Sequence, residues 1–213
     1  DTNGDGEANL RKVLFSGFRE GNQQHRMNGF VLGLDNWIYT ANGDSGGMIK
    51  STATGKTVNI NGRDFRFRIT GEIETLFNQT QFGLRRDDWG NWFGNNNPNW
   101  LWHVHLPMHY IACNPHLIAK DSGKMLFNYP ASRRCFPISP PMERPNGPNQ
   151  YGNVTSANSA SPYRGGLFGP DFKRSVFISE PVHNLVHREV LEPDGVTFTS
   201  RRAKGEEKTE FLA

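Results

Sequence analysis

Apolar residues in this chain fall in short runs separated by glycine, proline, asparagine and aspartate. The stretch from His25 to Gly47 reads HRMNGFVLGLDNWIYTANGDSGG. Phe30 to Leu32 and Trp37 to Thr40 have the composition of strands, and Gly33-Leu34-Asp35-Asn36 has that of a turn, so the pattern predicts a β-hairpin. The start of the first strand and the end of the second then lie at one sheet edge. That edge is expected to gather His25, Arg26 and Asn28 with Asn42 and Asp44. Further on, Lys12 to Phe15, Val58 to Ile60 and Ile73 to Thr75 read as short strands. In Phe65-Arg66-Phe67-Arg68-Ile69 the period of two sets the aromatics on a buried face and the arginines on the other, which reads either as lining a site or as a solvated strand face.

The hairpin plan recurs. In QFGLRRDDWGNWFGNNNPNW, Gln81 to Trp100, we match Gly83 to Gly33, read Asp87-Asp88-Trp89-Gly90 as the turn and Trp92-Phe93 as the strand, and place Asn95, Asn96 and Asn97 at the polar corner. A third copy is read over Leu167 to Ser179, with Gly169-Pro170-Asp171 as the turn and Val176 to Ile178 as the strand. It leads into Glu180-Pro181-Val182-His183-Asn184. Copies at a spacing of roughly 50 to 90 residues predict radial blades. The expected fold is all-β: a β-propeller fragment of about three to four blades of four-stranded antiparallel sheets, with a long irregular insertion. Approximate blades are 1–24 (partial), 25–78, 79–150 and 151–213, and the chain reads as part of a larger protein. Each polar corner is expected at one central mouth, with His183 placed there by analogy with Asn42 to Asp44.

Composition agrees with short strands: of 213 residues, 35% are hydrophobic, with 23 Gly and 13 Pro. The net charge of +3 is scattered, which argues against a nucleic-acid surface. No apolar run approaches the roughly 18 residues of a membrane span. Cys113 and Cys135 can be read equally as a disulfide or as two thiols. No Cys-x-x-Cys-His is present, so no haem is expected in this segment. The mixed charges of Arg201 to Glu210 read as a solvated strand or turn.

Several groups invite chemistry. Asp1, Asn3 and Asp5 before Gly6 have the alternation of half a calcium loop, but Lys12 stands where a bidentate Glu belongs; an Asx-rich turn is the other reading. His103, His105 and His109 have metal-like spacing, against which Pro107 and the lack of a nearby acidic or Cys partner weigh. His183 and His187 suit a metal only on a helix, and Val176 to Leu191 reads instead as two strands bent at Pro181. His25 is the natural general base for removing a hydroxyl proton, with Asp44 to orient it.

The spacing of His25, Gly29, Phe30 to Leu32, Gly33-Leu34-Asp35, Ile38-Tyr39 and Gly43-Asp44 resembles the inner hairpin of soluble quinone-dependent (PQQ) glucose/sorbosone dehydrogenase-like six-bladed propellers. GFREGNQQHR, GRDFRFR, TGEIE, FPISPPMERPN, EPVHNLVHREVL and PDGVTFTSRRA extend a likeness to the propeller region of the planctomycete-type membrane-bound dehydrogenase family over nearly the whole chain. The resemblance implies oxidation of a sugar or polyol at the mouth, with pyrroloquinoline quinone and calcium as cofactors. It also implies a periplasmic or extracytoplasmic location, and helical-repeat and haem c domains further along the full-length protein. His25 and Asp44 would be catalytic. Arg26, Asn28, Asn42, Asn95, Asn96, Asn97, Glu180, His183 and Asn184 would form the substrate or cofactor pocket, and Asp1, Asn3 and Asp5 the metal site. A non-catalytic propeller binding carbohydrate or protein through the same mouth is the alternative.

Overall fold

The structure is a computed structural model and describes residues 1–76, 78–117, 122–127, 133–140 and 151–213. The insertion expected over 114–153 lies partly outside them. The described strands form four antiparallel sheets. Numbered in chain order, β1 (Phe15–Phe18), β4 (Gly47–Ser51) and β5 (Thr57–Asn59) make a three-stranded sheet. The first blade is β2 (Asn28–Leu32), β3 (Ile38–Ala41), β6 (Phe65–Phe67) and β7 (Ile73–Thr75). The second is β8 (Arg85–Arg86), β9 (Trp92–Asn96), β10 (Asn99–Val104) and β11 (Gly123–Met125). The third is β12 (Asn158–Pro162), β13 (Ser175–Glu180), β14 (Leu185–Asp194) and β15 (Thr197–Arg202). Each blade pairs its strands in chain order, as a β-propeller blade does.

The three first strands lie side by side. A Cβ on Gly29 would sit 2.7 Å from the Gly83 Cα, and one on Gly83 would sit 2.8 Å from the Ser159 Oγ. All three residues have positive φ, +70°, +70° and +52°. Backbone packed this closely in a left-handed conformation favours glycine; Ser159 holds it with its hydroxyl donating to the Asn158 side chain at 2.6 Å. This alignment corrects the repeat drawn from the sequence. Gly83 corresponds to Gly29, not Gly33, and the third hairpin begins at Asn158, not Leu167. Register shifts between Asn28 and Val31 and between Asn158 and Ser161 mark bulges at equivalent places.

Other boundaries also move. The first strand is Phe15–Phe18, not Lys12 to Phe15, and it joins a sheet whose other strands come from 47–59, inserted between β3 and β6. The residues read as a partial blade over 1–24 therefore contribute an edge strand to that sheet. In β4, Ile49 and Ser51 are buried while Met48 and Lys50 are exposed, and Ile49 packs with Ile60, Phe65 and Ile73. Glu180 ends β13 and Leu185 starts β14, so Pro181 lies in a reversing turn rather than at a bend.

Two inter-blade contacts carry the interior. Phe93, Trp100 and Leu101 of the second blade pack on Val176, Ile178, Leu185 and Leu191 of the third. Between the first and second blades the cluster is smaller: Trp37, Tyr39, Leu84 and Trp92, with Val31 and Val104 against it.

Candidate functional site

His25 ends a single 3₁₀ turn, Gln23–His25, capped by the Asn22 side chain. Its carbonyl accepts from the Ser45 N–H at 3.0 Å, which brings the start of the first hairpin onto its far corner. Gly43 makes that approach possible, because a Cβ there would collide with the carbonyl oxygens of His25 and Arg26. The result is the juxtaposition the hairpin predicts: His25 Nδ1 lies 3.7 Å from Asp44 Oδ2, with 31% and 35% of the two side chains exposed.

Two glutamines from the linker into the second blade complete the cluster. Gln79 Nε2 donates to Asp44 Oδ1 at 2.6 Å. Gln81 is almost wholly buried and places its Nε2 3.1 Å from His25 Nε2. The orientation of the Gln81 amide follows from its other end, because Oε1 accepts from the Asn97 N–H at 2.8 Å. An amide N–H therefore faces His25, so Nε2 is the accepting nitrogen and Nδ1 carries the proton toward Asp44. The His25 ring also meets Phe82 edge-on. Through Gln81 the mouth joins the first blade to the corner at 95–97 of the second.

Gln79 and Gln81 escaped the sequence reading. They sit 35 and 56 residues from their partners. The signal that finds Gln79 is the aligned repeat: His25 lies four residues before Gly29, as Gln79 does before Gly83 and Thr155 before Ser159.

Asp64 is the hidden support of the cluster. Its carboxylate is wholly buried and accepts from the N–H groups of Asn42 at 2.9 Å and Thr80 at 2.8 Å. Burial pushes its pKa up to about 7, against the opposing pull of Thr80 and Asn42.

The other residues expected at the mouth divide. Asn28 stays near it, donating to the Arg26 and Gln81 carbonyls and accepting from the Gly83 N–H at 2.8 Å. Arg26 turns away, its guanidinium donating to the Glu20 carbonyl. Asn96 accepts from Asn99, and Asn97 contributes backbone to Gln81 and Ala157. Asn184 is exposed, at φ +54°.

Asn42, Asn95, Glu180 and His183, expected in the pocket, are at most 1% exposed and hydrogen-bonded within the protein. Asn42 donates to the carbonyls of Ile60 and Arg63 and accepts from Gly46. Asn95, with its amide oriented to suit its neighbours, donates to the Phe82 carbonyl and accepts from Ser159. Glu180 accepts from the N–H groups of Thr155 and Ser156 and from His183 Nδ1 at 2.9 Å. Burial opposes its ionisation, yet His183 and Thr155 hold its carboxyl below the ordinary range.

His187 does not share a site with His183. It is wholly buried, stacked on Trp100, with Nδ1 and Nε2 each 2.8 Å from a carboxylate, of Glu210 and Glu189 respectively. Burial alone would lower its pKa, but the two carboxylates raise it and favour the imidazolium. Glu210 also pairs with Arg202 at 2.9 Å, so this part of the tail is an interior network and not a solvated face. His103 bonds Thr197 Oγ1 at 2.9 Å, and burial pushes its pKa down to about 4. The side chain of His109 lies outside the described residues.

Asp1, Asn3 and Asp5 close a small exposed loop. Asp1 accepts from the Gly4 and Gly6 N–H groups, and Asn3 bonds both Asp5 and Asn9. Among the described residues no group of three or more His, Cys, Asp or Glu side chains stands together to hold a metal ion. Cys113 is exposed and Cys135 is buried.

Arg66, read as lining a site or a solvated strand face, is 7% exposed. It pairs with Asp35 and Glu74 at 2.7 Å each and lies over the Trp37 ring. Its register opposite Tyr39 and Glu74 explains its burial. Arg66 lines a cleft of about 590 Å³ between the first and second blades, walled by Tyr39, Leu84, Trp92 and Val104.

Among the described residues no helix is long and apolar enough to cross a membrane. No curated protein and no solved structure matches the chain. A family model described as a domain of unknown function, DUF7133, matches residues 1–213, and the chain belongs to that family.

Proposed function

We propose that the mouth between the first and second blades binds a sugar or polyol hydroxyl, and that His25 takes its proton as the alcohol is oxidised. The observation that supports this reading is the Gln81 amide, whose Nε2 lies 3.1 Å from His25 Nε2 while its Oε1 accepts from the Asn97 N–H. With Nδ1–H toward Asp44, the imidazole presents a basic lone pair at Nε2, and Asp44 stabilises the imidazolium that forms. Gln81 holds that lone pair in the resting state, so a substrate hydroxyl replaces the Gln81 amide as it arrives. Oxidation also releases a hydride, which a quinone of the kind implied by the resemblance would accept. The described mouth residues do not form a cradle for it: Arg26, the arginine next to His25, is turned to Glu20, and no carboxylate cluster is assembled for calcium. No step is assigned through that group.

The test uses full-length protein supplied with pyrroloquinoline quinone and calcium, a panel of sugars and polyols, and a reducible dye. Substrate-dependent dye reduction should fall about 10²- to 10⁴-fold in His25→Gln, the usual contribution of a general base. A non-catalytic carbohydrate- or protein-binding mouth is favoured by one feature, the engagement of His25 Nε2 by Gln81 and of Asp44 Oδ1 by Gln79 within the cluster. Glycan binding without dye reduction would establish that second reading.

A further inference from the structure

A second cleft, of about 520 Å³, opens between the second and third blades at the sheet edge opposite the mouth, where the β8–β9 turn meets the 163–174 connection. Its size is within the range of small-ligand sites, on the order of 300–1,000 Å³. Trp89 stands at its lip with 79% of its surface exposed. The indole rides on a fixed turn, because the nearly buried Asp87 carboxylate accepts from the N–H groups of Trp89 at 3.0 Å and Asn91 at 2.9 Å, and from Asn91 Nδ2 at 2.7 Å. Arg164 spans the blades to Asp88 at 2.5 Å. Leu191, Pro193 and Phe198 form an apolar wall.

Lys173 and Arg174 complete the lining, both exposed and neither side chain with a hydrogen bond or ion pair to another described residue. With Arg164 they set three cations against Asp87 and Asp88. An exposed indole on a fixed turn offers a flat face for the C–H face of a sugar ring, while unpaired cations beside it select an anion. We propose that this cleft binds an acidic saccharide, with a uronate carboxylate or a sulfate ester at Lys173 and Arg174 and the ring on Trp89. Asp88 and Asn91 are placed to accept from and donate to its hydroxyls. The site is separate from the mouth and does not rest on the reaction proposed there.

Calorimetric titration of the full-length protein tests this with three probes of equal length: an oligogalacturonate, a sulfated oligosaccharide and a neutral cello-oligosaccharide. At least one acidic probe should bind tenfold or more tightly than the neutral one, and weaken as salt is raised. Trp89→Ala and the double variant Lys173→Glu, Arg174→Glu should each weaken it at least tenfold. The three residues are exposed, so circular dichroism and the unfolding midpoint should be unchanged. His25→Gln should bind as wild type does. Failure of both acidic probes, equal binding of the neutral one, wild-type binding by Trp89→Ala, or loss of binding in His25→Gln would each overturn the assignment.

Discussion

Between the second and third blades, Phe93, Trp100 and Leu101 close on Val176, Ile178 and Leu185 in one apolar cluster, with the charged cleft at the edge opposite the mouth. Between the first and second, the same kind of contact is divided by polar chemistry: the His25–Asp44–Gln79–Gln81 cluster at the mouth and the Arg66 cleft behind it. The two contacts share a repeated strand plan and differ in what the inner linkers carry. Where the linker into the third blade supplies Thr155 and Ser156, their hydroxyls and N–H groups are consumed by the buried Glu180. Where the linker into the second blade supplies Gln79 and Gln81, long amides reach partly exposed acid and imidazole instead. The first arrangement stabilises; the second leaves titratable groups at a surface.

The largest expected effect falls on the apolar contact. Trp100→Ala removes a wholly buried indole and the stacking surface of His187, and should cost about 3–5 kcal/mol in denaturant unfolding. Arg66→Ala breaks the polar contact instead. Its partners Asp35 and Glu74 are more than 40% exposed and regain water, so the loss should be smaller, about 1–2 kcal/mol, with cleft geometry rather than folding affected most.

The pH dependence of stability separates the contacts by sign. Asp64 has a folded pKa of about 7, above its ordinary 3.8, so the folded state holds the extra proton and its contribution is lost as pH rises through that window. His103 has a folded pKa of about 4, below 6.5, so the unfolded state takes the proton first and its contribution is lost as pH falls from about 6.5 to 4. In chemical unfolding between pH 4 and 7.5, Asp64→Asn should make stability rise more with pH than in wild type, and His103→Gln should make it rise less. Gln79→Ala should have the smallest effect on folding, about 0.5–1.5 kcal/mol, since it removes a single partly solvated hydrogen bond to Asp44.

The first hairpin was legible because its signals are local: glycine and aspartate at the turn, bulky residues on either side, polar groups at both free ends. That locality also delivered the meeting of His25 and Asp44, since pairing alone fixes which ends share an edge. Register in the later blades was not legible. Gly83 matches Gly29 through a shared φ and a close backbone approach, which a run of letters does not display, and the 163–174 connection hides the start of the third hairpin at Asn158. Polarity at a strand end was also ambiguous. Asn42 and Glu180 carry the groups of a binding mouth but turn back onto backbone N–H and carbonyl groups, whereas Arg66 looks solvated until its cross-strand neighbours Tyr39 and Glu74 are known.

The account turns on which nitrogen of His25 bears the proton. Long-range ¹H–¹⁵N correlation of the imidazole in the full-length protein above the His titration range reads it directly. The arrangement of Gln81 and Asn97 predicts the Nδ1–H tautomer, with an unprotonated Nε2 that responds to added polyol. An Nε2–H tautomer would leave the lone pair facing the Asp44 carboxylate, and the proposed base would be contradicted.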